Sequence, residues 1–276
     1  MIYIDSDNAL GSKSGDIDDA FAIAALLCGH KRSEKTVGAL GSVFGNTTAS
    51  EVQKNNQSLA RFCGYSGSCL LGANKPGDPS DASRYLAQGL ALDQVLALGP
   101  MTNFAAALRE NPQAQARVGE FILVGANWSS NGRWPPYWPF EFNLTHDAQA
   151  TAEVFNSRVP LTIIPLDQAR RLRLRSIDFP VLSGELANFL ESGSRRWLLR
   201  ARRFKFSSSV PVWDLAAAIW AIEPALFQSE VVKARIHPNG WIEFRTGDRK
   251  VRVVTDYDPE KVWKKFRQLS ESRAAN

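Results

Sequence analysis

Short apolar runs recur along the chain, end in small or polar residues, and give way to stretches with helical spacing. Residues 2–4, 37–43, 94–98, 121–124 and 159–164 read as strands, because aliphatic and β-branched side chains dominate them. Helices are expected near residues 19–28, 48–63, 102–110 and 147–155. Strands alternating with helices predict an α/β fold with a mostly parallel central sheet flanked by helices. In such sheets ligands bind outside the carboxyl ends of the strands, so the polar residues at those ends are the first candidates for a site.

The later chain has a different pattern. A basic, aromatic helical stretch over residues 186–206 leads through a serine run into a further helix beginning near Asp214. Residues 231–236, 241–245 and 250–254 then read as a small C-terminal antiparallel β element, with Pro238, Asn239 and Gly240 as a turn. An amphipathic helix over residues 259–272 follows. With 276 residues, 44% of them hydrophobic, and with no internal repeat or low-complexity linker, the expectation is one domain spanning 1–276.

Composition narrows the class. An 18-residue uncharged apolar run is missing, and the chain opens on a strand-like segment instead of a basic stretch with a cleavage site, so a cytoplasmic protein without a membrane partner is expected. Cys28, Cys63 and Cys69 are odd in number and lack paired metal-site spacing, which favours reduced, structural thiols. The net charge of +5 is concentrated in two clusters, Arg170–Arg171–Arg173–Arg175 and the stretch from Arg195 to Lys205. No nucleic-acid module accompanies them, so solvated helix faces are favoured over nucleic-acid binding.

The chemistry is concentrated at the start. Asp5, Asp7, Asp16, Asp18 and Asp19 place five carboxylates within the first twenty residues. Crowded carboxylates repel and raise one another's pKa, so they require solvent, protons or a cation between them. A hard cation answers this demand with oxygen coordination. Taken singly, each neighbouring motif has a plainer reading: Asp18 and Asp19 favour a helix N-terminus, Asn46 precedes the capping pattern of Thr48 and Glu51, and Thr102 and Asp214 are good N-caps.

Taken together and in order, these segments resemble the nucleoside hydrolase family. The resemblance rests on DSDN followed by DIDDA, on VFGNTT, LALGPMTNFAAAL, FILVG, FEFN and HDAQA, and on VPVWDLAAAIW, and it spans most of the chain. It implies the Rossmann-like fold of that family, a homodimer or homotetramer, and Ca²⁺-dependent hydrolysis of the N-glycosidic bond of a ribonucleoside. The ion is expected to hold both the ribose diol and the attacking water. By the same resemblance Asp7 is the general base beside the metal, Asp19 a bidentate ligand, and the Leu98 carbonyl and Asp214 further ligands. Asp18, Asn46, Glu141 and Asn143 are expected to grip ribose hydroxyls, with Asp5 supporting the loop.

Three departures bear on the substrate. The family's tight DxDPGxDD turn is lengthened here by residues 9–15, whose Gly11-Ser12-Lys13-Ser14-Gly15 run offers donors to an anion and keeps a phosphorylated nucleoside open as an alternative. Trp213 stands where many members carry a histidine that protonates the leaving base, which resembles the purine-preferring branch and implies stacking on a purine or related aromatic base. Trp128, Trp134 and Trp138 are candidates for an opposing face, and Asn131 for the family's asparagine before Glu141. Between Leu71 and Leu92 the chain is also shorter than the family's active-site segment. Two competing readings remain: a catalytically weak Ca²⁺- and ribose-binding homologue, and a phosphatase with an aspartyl nucleophile. The latter lacks the small-residue turn after its second aspartate.

Overall fold

The computed structural model describes residues 1–12, 15–29, 36–130, 141–175, 184–203 and 209–271. Its centre is a nine-stranded sheet. The first six strands are β1 (Ile2–Ser6), β2 (Val37–Ser42), β3 (Ser68–Leu70), β4 (Leu92–Ala97), β5 (Val118–Val124) and β6 (Leu161–Ile164). They lie parallel in the order β3-β2-β1-β4-β5-β6, that of a doubly wound Rossmann sheet. The order reverses between β1 and β4, which opens a crevice beyond the carboxyl ends of those two strands.

The two faces of this sheet follow from the period-2 alternation of its strands. Ile2, Ile4, Leu40, Leu96, Ile122, Val124 and Ile164 point into one core, while Tyr3, Ala39, Val95, Ala97, Phe121, Leu123 and Ile163 point into the other. The first core is covered by α1 (Asp18–Gly29), α2 (Ala49–Cys63), α8 (Gly184–Arg203), α9 (Leu215–Ile222) and α10 (Pro259–Glu271). The second is covered by α3 (Asp81–Ala87), α4 (Thr102–Glu110) and α6 (Ala148–Asn156). Every residue of α1 is buried, so a helix that begins with two carboxylates has no solvated face to turn them toward.

The other elements among the described residues include two short helices, α5 (Phe142–His146) and α7 (Leu166–Ala169), the separate antiparallel pair β7 (Arg173–Arg175) and β8 (Ser209–Pro211), and the strands β9 (Phe227–Ile236), β10 (Ile242–Phe244) and β11 (Arg249–Tyr257). The C-terminal strands are antiparallel, as expected, yet they extend the central sheet. β11 runs parallel to β6, pairing Arg252 with Thr162 and Val253 with Ile163, and antiparallel to β9. Its adjacent Val253 and Val254 are buried on opposite faces and so join the two cores.

Several local expectations change. Thr102 is the first residue of α4 and not its cap, because its hydroxyl donates to Asp147 Oδ2 at 2.6 Å. Thr48 does cap α2, accepting from the Glu51 N–H at 3.3 Å, but the Glu51 carboxylate pairs with the Thr47 hydroxyl and leaves the capping box half-formed. The shortened stretch between Leu71 and Leu92 holds α3, which has a complete capping box between Ser80 and Ser83. Among the described residues, no helix is long and apolar enough to cross a membrane.

Candidate active site

At the β1/β4 crevice lies a cavity of about 230 Å³ lined by Asp7, Asp16, Asp18, Asp19, Asn46, Leu98, Glu141, Asn143, Trp213 and Asp214, with Val124, Phe142 and Leu166 as apolar wall. Segments more than two hundred residues apart in sequence meet here, since Asp7 and Asp214 share one wall. Asp7 leaves the end of β1, Asn46 follows β2, Leu98 follows β4, and Asp214 stands before α9.

Loop glycines let the backbone approach the carboxylates. A methyl group at Gly45 would meet Asp7 Oδ2 at 2.1 Å, and one at Gly99 would meet Val43 Cγ1 at 2.7 Å and Asp7 Cβ at 3.2 Å. The close approach of the loop at Gly45 brings the Asn46 N–H to Asp7 Oδ2 at 2.7 Å, and the Asp7 N–H in turn donates to Asp19 Oδ1 at 3.2 Å. Asn46 therefore meets Asp7 through its backbone and does not cap α2. Asp214 makes no side-chain capping bond at the start of α9, so its carboxylate is left to the cavity.

Carboxyl oxygens of Asp18, Asp19 and Asp214 lie within 4.8 Å of one another, and all three residues are buried. Asp19 Oδ2 is buried without a hydrogen-bond partner, an expensive state for an anionic oxygen unless a cation meets it. An all-oxygen set of this kind fits a hard dication. The tight trio includes Asp18, expected from the resemblance to face the sugar, while Asp7 adjoins the trio through its bond to Asp19. Leu98 also lines the cavity; its carbonyl accepts from Asn143 Nδ2 at 2.8 Å, which occupies one of its two lone pairs.

Six acidic side chains line this small space, and burial pushes their carboxyls up. Asp7 is raised to about 7 by burial, against the Asn46 N–H bond that favours its charged form and with Asp18 raising it further. Asp18 is raised to about 6 by burial, held there by backbone N–H groups that include those of Asp214 and Trp213. Burial pushes Glu141 up to about 8, opposed by the Leu144 N–H that its Oε2 accepts at 2.7 Å. Asp16, Asp19 and Asp214 are also well above the ordinary carboxylate range, through lost hydration first and neighbouring aspartates second. Full ionisation of this wall requires positive charge to be brought in.

Behind the wall, Asn103 of α4 ties four segments together. Its Nδ2 donates to Asp5 Oδ1 at 2.9 Å, Asp5 Oδ2 at 3.1 Å and the Ser42 carbonyl at 2.9 Å, and its Oδ1 accepts from the Ala73 N–H and the Ser80 hydroxyl. Asp5 thus supports the loop and stays out of the cavity. Asn56 plays a parallel part from α2, accepting from Asn8 Nδ2 at 3.0 Å and donating to Ser6 Oγ at 3.0 Å. Sequence reasoning passed over both asparagines and placed Asp16 only in the acidic cluster, although a lone amide amid the alanines of α4 was a usable signal. Asn103→Ala is expected to destabilise the fold by about 1–3 kcal/mol for the polar groups it orphans, read as a lower urea midpoint with unchanged slope. An unaltered midpoint would remove it as the brace.

Trp213 is half-buried, lines the cavity and packs on the first core. Trp128 does not oppose it: its ring packs edge-on against Phe244 at 5.5 Å with Arg245 over its face at 4.0 Å. Lys13, Asn131, Trp134 and Trp138 lie outside the described residues. Among the described residues no histidine lines the cavity; His146 is exposed against Phe142, and His237 pairs with Glu243.

Known proteins carry the same framework. The non-specific ribonucleoside hydrolase RihC of Klebsiella pneumoniae is 25% identical over 88% of this chain and 91% of its own length. The pyrimidine-specific ribonucleoside hydrolase RihA of Photobacterium profundum is 29% identical over 48% of this chain and 43% of its own. The solved purine-preferring ribonucleoside hydrolase of Gardnerella vaginalis superposes with a TM-score of 0.81 at 17% identity, covering 99% of this chain and 98% of that one. A plant nucleoside hydrolase superposes with a TM-score of 0.79 at 21% identity over 98% of each chain. A family model described as inosine-uridine preferring nucleoside hydrolase matches residues 2–264, nearly the whole fold together with every motif of the acidic cavity, and the chain belongs to that family of N-glycosyl hydrolases.

Proposed function

We propose that this protein hydrolyses the N-glycosidic bond of a ribonucleoside with a purine or related aromatic base in a Ca²⁺-dependent reaction, releasing free base and ribose. The observation that carries the reading is the buried trio Asp18, Asp19 and Asp214, with an orphaned Asp19 oxygen, set beside a half-buried indole in one cavity. Asp19, Asp214 and the second lone pair of the Leu98 carbonyl would hold the dication, with Asp18 and Asp7 at its edge. Bound there, Ca²⁺ would offset the carboxylate charge and lower the pKa of water.

The remaining chemistry belongs to the chain. Asp7 Oδ2 is fixed by the Asn46 N–H, so the carboxylate is held in one orientation to take a proton from the attacking water. The water oxygen bonds to C1′, the C1′–N bond breaks with its electron pair leaving on the base, and the base anion takes a proton from solvent while Asp7 later returns its proton to solvent. Positive charge develops on the sugar as in other glycoside hydrolysis, and the surrounding carboxylates stabilise it. Asp18, Asn46, Glu141 and Asn143 hold the ribose hydroxyls. The Trp213 face stacks on the departing base, an interaction worth about 1–3 kcal/mol per base in other systems. We further propose that the chain works as a single domain in a homodimer or homotetramer.

Trp213→Ala is expected to slow purine nucleosides by about 5- to 150-fold, the rate equivalent of that stacking energy, and to spare an activated nitrophenyl riboside. Equal losses on both would argue against stacking-assisted departure. A second reading, a cage that binds ribose and turns over weakly, is favoured by the lack of a histidine among the described residues lining the cavity. Release of ribose from a panel of nucleosides, and of ribose 5-phosphate from their 5′-phosphates, with defined Ca²⁺ and with chelator, tests both. Binding without release supports the second reading, and release from the phosphates alone would overturn the preference for unphosphorylated nucleosides.

A further inference from the structure

We propose that Thr151, which stands outside the catalytic cavity, is a positioning residue for the reaction: its hydroxyl holds the main chain of α5 and so sets the pose of Glu141. The inference rests on the reading that Glu141 grips the ribose. It begins with the length of α5. Five residues, Phe142–His146, form little more than one turn, and a single turn does not hold its geometry unaided, because nucleating it costs more than its hydrogen bond returns. Yet this turn carries two groups of the cavity wall. The Leu144 N–H donates to Glu141 Oε2 at 2.7 Å, and Asn143 Nδ2 reaches the Leu98 carbonyl at 2.8 Å. Leu144 and Glu141 are both buried, so a rotation of the Leu144 main chain carries the carboxylate with it.

The other polar end of Leu144 is fixed from α6. Thr151 is 1% exposed, and its hydroxyl shares its proton between the Leu144 carbonyl at 2.9 Å and the Asp147 carbonyl at 3.0 Å. A helical threonine satisfies itself on its own i−4 carbonyl, here that of Asp147, so the further reach to Leu144 is what couples the two helices. Asp147 anchors α6 in turn, its Oδ1 accepting the Ala150 N–H at 3.0 Å and its Oδ2 the Thr102 hydroxyl of α4. The β9–β10 turn closes on the same carbonyl from outside. Gly240 is buried there at φ +86°, and a methyl group on it would collide with the Leu144 carbonyl and stand 3.3 Å from the Ala148 Cα. The turn is itself tied by the Gly240 N–H to the His237 carbonyl at 2.9 Å and the His237 N–H to the Trp241 carbonyl at 2.7 Å. α5 is therefore held in a bracket of α6 and the hairpin, and Thr151 supplies the directional bond in it. Side chains that meet a substrate keep their geometry only when their supports are locked in this way.

Steady-state kinetics with saturating Ca²⁺, on the nucleoside that the parent cleaves fastest, test the assignment. Thr151→Val keeps the branched shape and removes the donor, and it should lower kcat/KM by about tenfold, the equivalent of one lost buried hydrogen bond. Thr151→Ser restores the donor and should recover most of the loss. In a Glu141→Ala background the change to valine should cost less than about twofold, because the group it positions is gone. The Ca²⁺-dependent rise in melting temperature should persist in Thr151→Val, since Asp18, Asp19 and Asp214 stand on other elements. If the panel shows binding without release, the same comparisons are read on the nucleoside dissociation constant. Undiminished kcat/KM in Thr151→Val, no recovery in Thr151→Ser, an equal tenfold loss in the Glu141→Ala background, or loss of the Ca²⁺ effect would each overturn the inference. Near-normal kcat/KM in Glu141→Ala would instead remove Glu141 from the ribose, and the reading beneath the inference would fall with it.

Discussion

Asp7→Ala is expected to lower ribose release by about 10²–10⁴-fold, the contribution of a positioned general base. The loss should fall on kcat more than on KM, because the ribose is held by other groups. Asp7 is 1% exposed, and its Oδ2 accepts the Asn46 N–H, so truncation also leaves that donor unpaired. Asp7→Asn separates the two effects, since it keeps an oxygen acceptor for the Asn46 N–H while removing the basic carboxylate. Both variants should lose turnover, and the asparagine form should keep the parent's melting temperature. Near-normal turnover in either would remove Asp7 as the base.

The second large effect is on stability. In the chelated protein, Asp7 and Glu141 have pKa values raised by burial to about 7 and about 8. A carboxyl whose folded pKa lies above its unfolded value favours the protonated folded state. Its contribution is therefore complete below the unfolded value, near pH 4, and is lost as pH rises through the folded value. A dication reverses this sign by favouring the ionised carboxylates, and its own affinity grows as they lose protons. The melting temperature with Ca²⁺ minus that with chelator should therefore widen from pH 5 to pH 8. At a free Ca²⁺ concentration 100 times its dissociation constant, the gain should be about 2.7 kcal/mol. Asp19→Asn, which removes a charge at the orphaned oxygen, should abolish most of the difference. A difference that is absent, or that shrinks as pH rises, would rule out a cation at this wall.

These expectations rest on features of unequal visibility. The strands were legible because a short apolar run that ends in small or polar residues, as in Ile2–Ser6 or Val118–Val124, is a local property, recorded within a few residues. The helices Thr102–Glu110 and Ala49–Cys63 were legible for the same reason. Short elements such as β3, α3, β7 and β8 were not, because three to seven residues carry too little periodicity to stand out. The resemblance supplied site residues in order, and the cavity brings Asp7, Asp18, Asp19, Asn46, Leu98, Glu141, Asn143, Trp213 and Asp214 together. Their roles in turnover are what the variants above test.

The sequence by itself determined an alternating α/β chain, five carboxylates at its start, and ordered motifs that resemble one hydrolase family. Tertiary structure decided the rest, because it depends on which distant residues become neighbours. Only the reversal of strand order between β1 and β4 opens the crevice that brings Asp7 beside Asp214. Only folding seals α1 on every side, leaves Asp19 Oδ2 without a partner, and turns the acidic opening from a solvated cluster into a buried one that could hold a metal ion. Desolvation sets what these charges cost and therefore what they bind, and desolvation is a property of the packed chain.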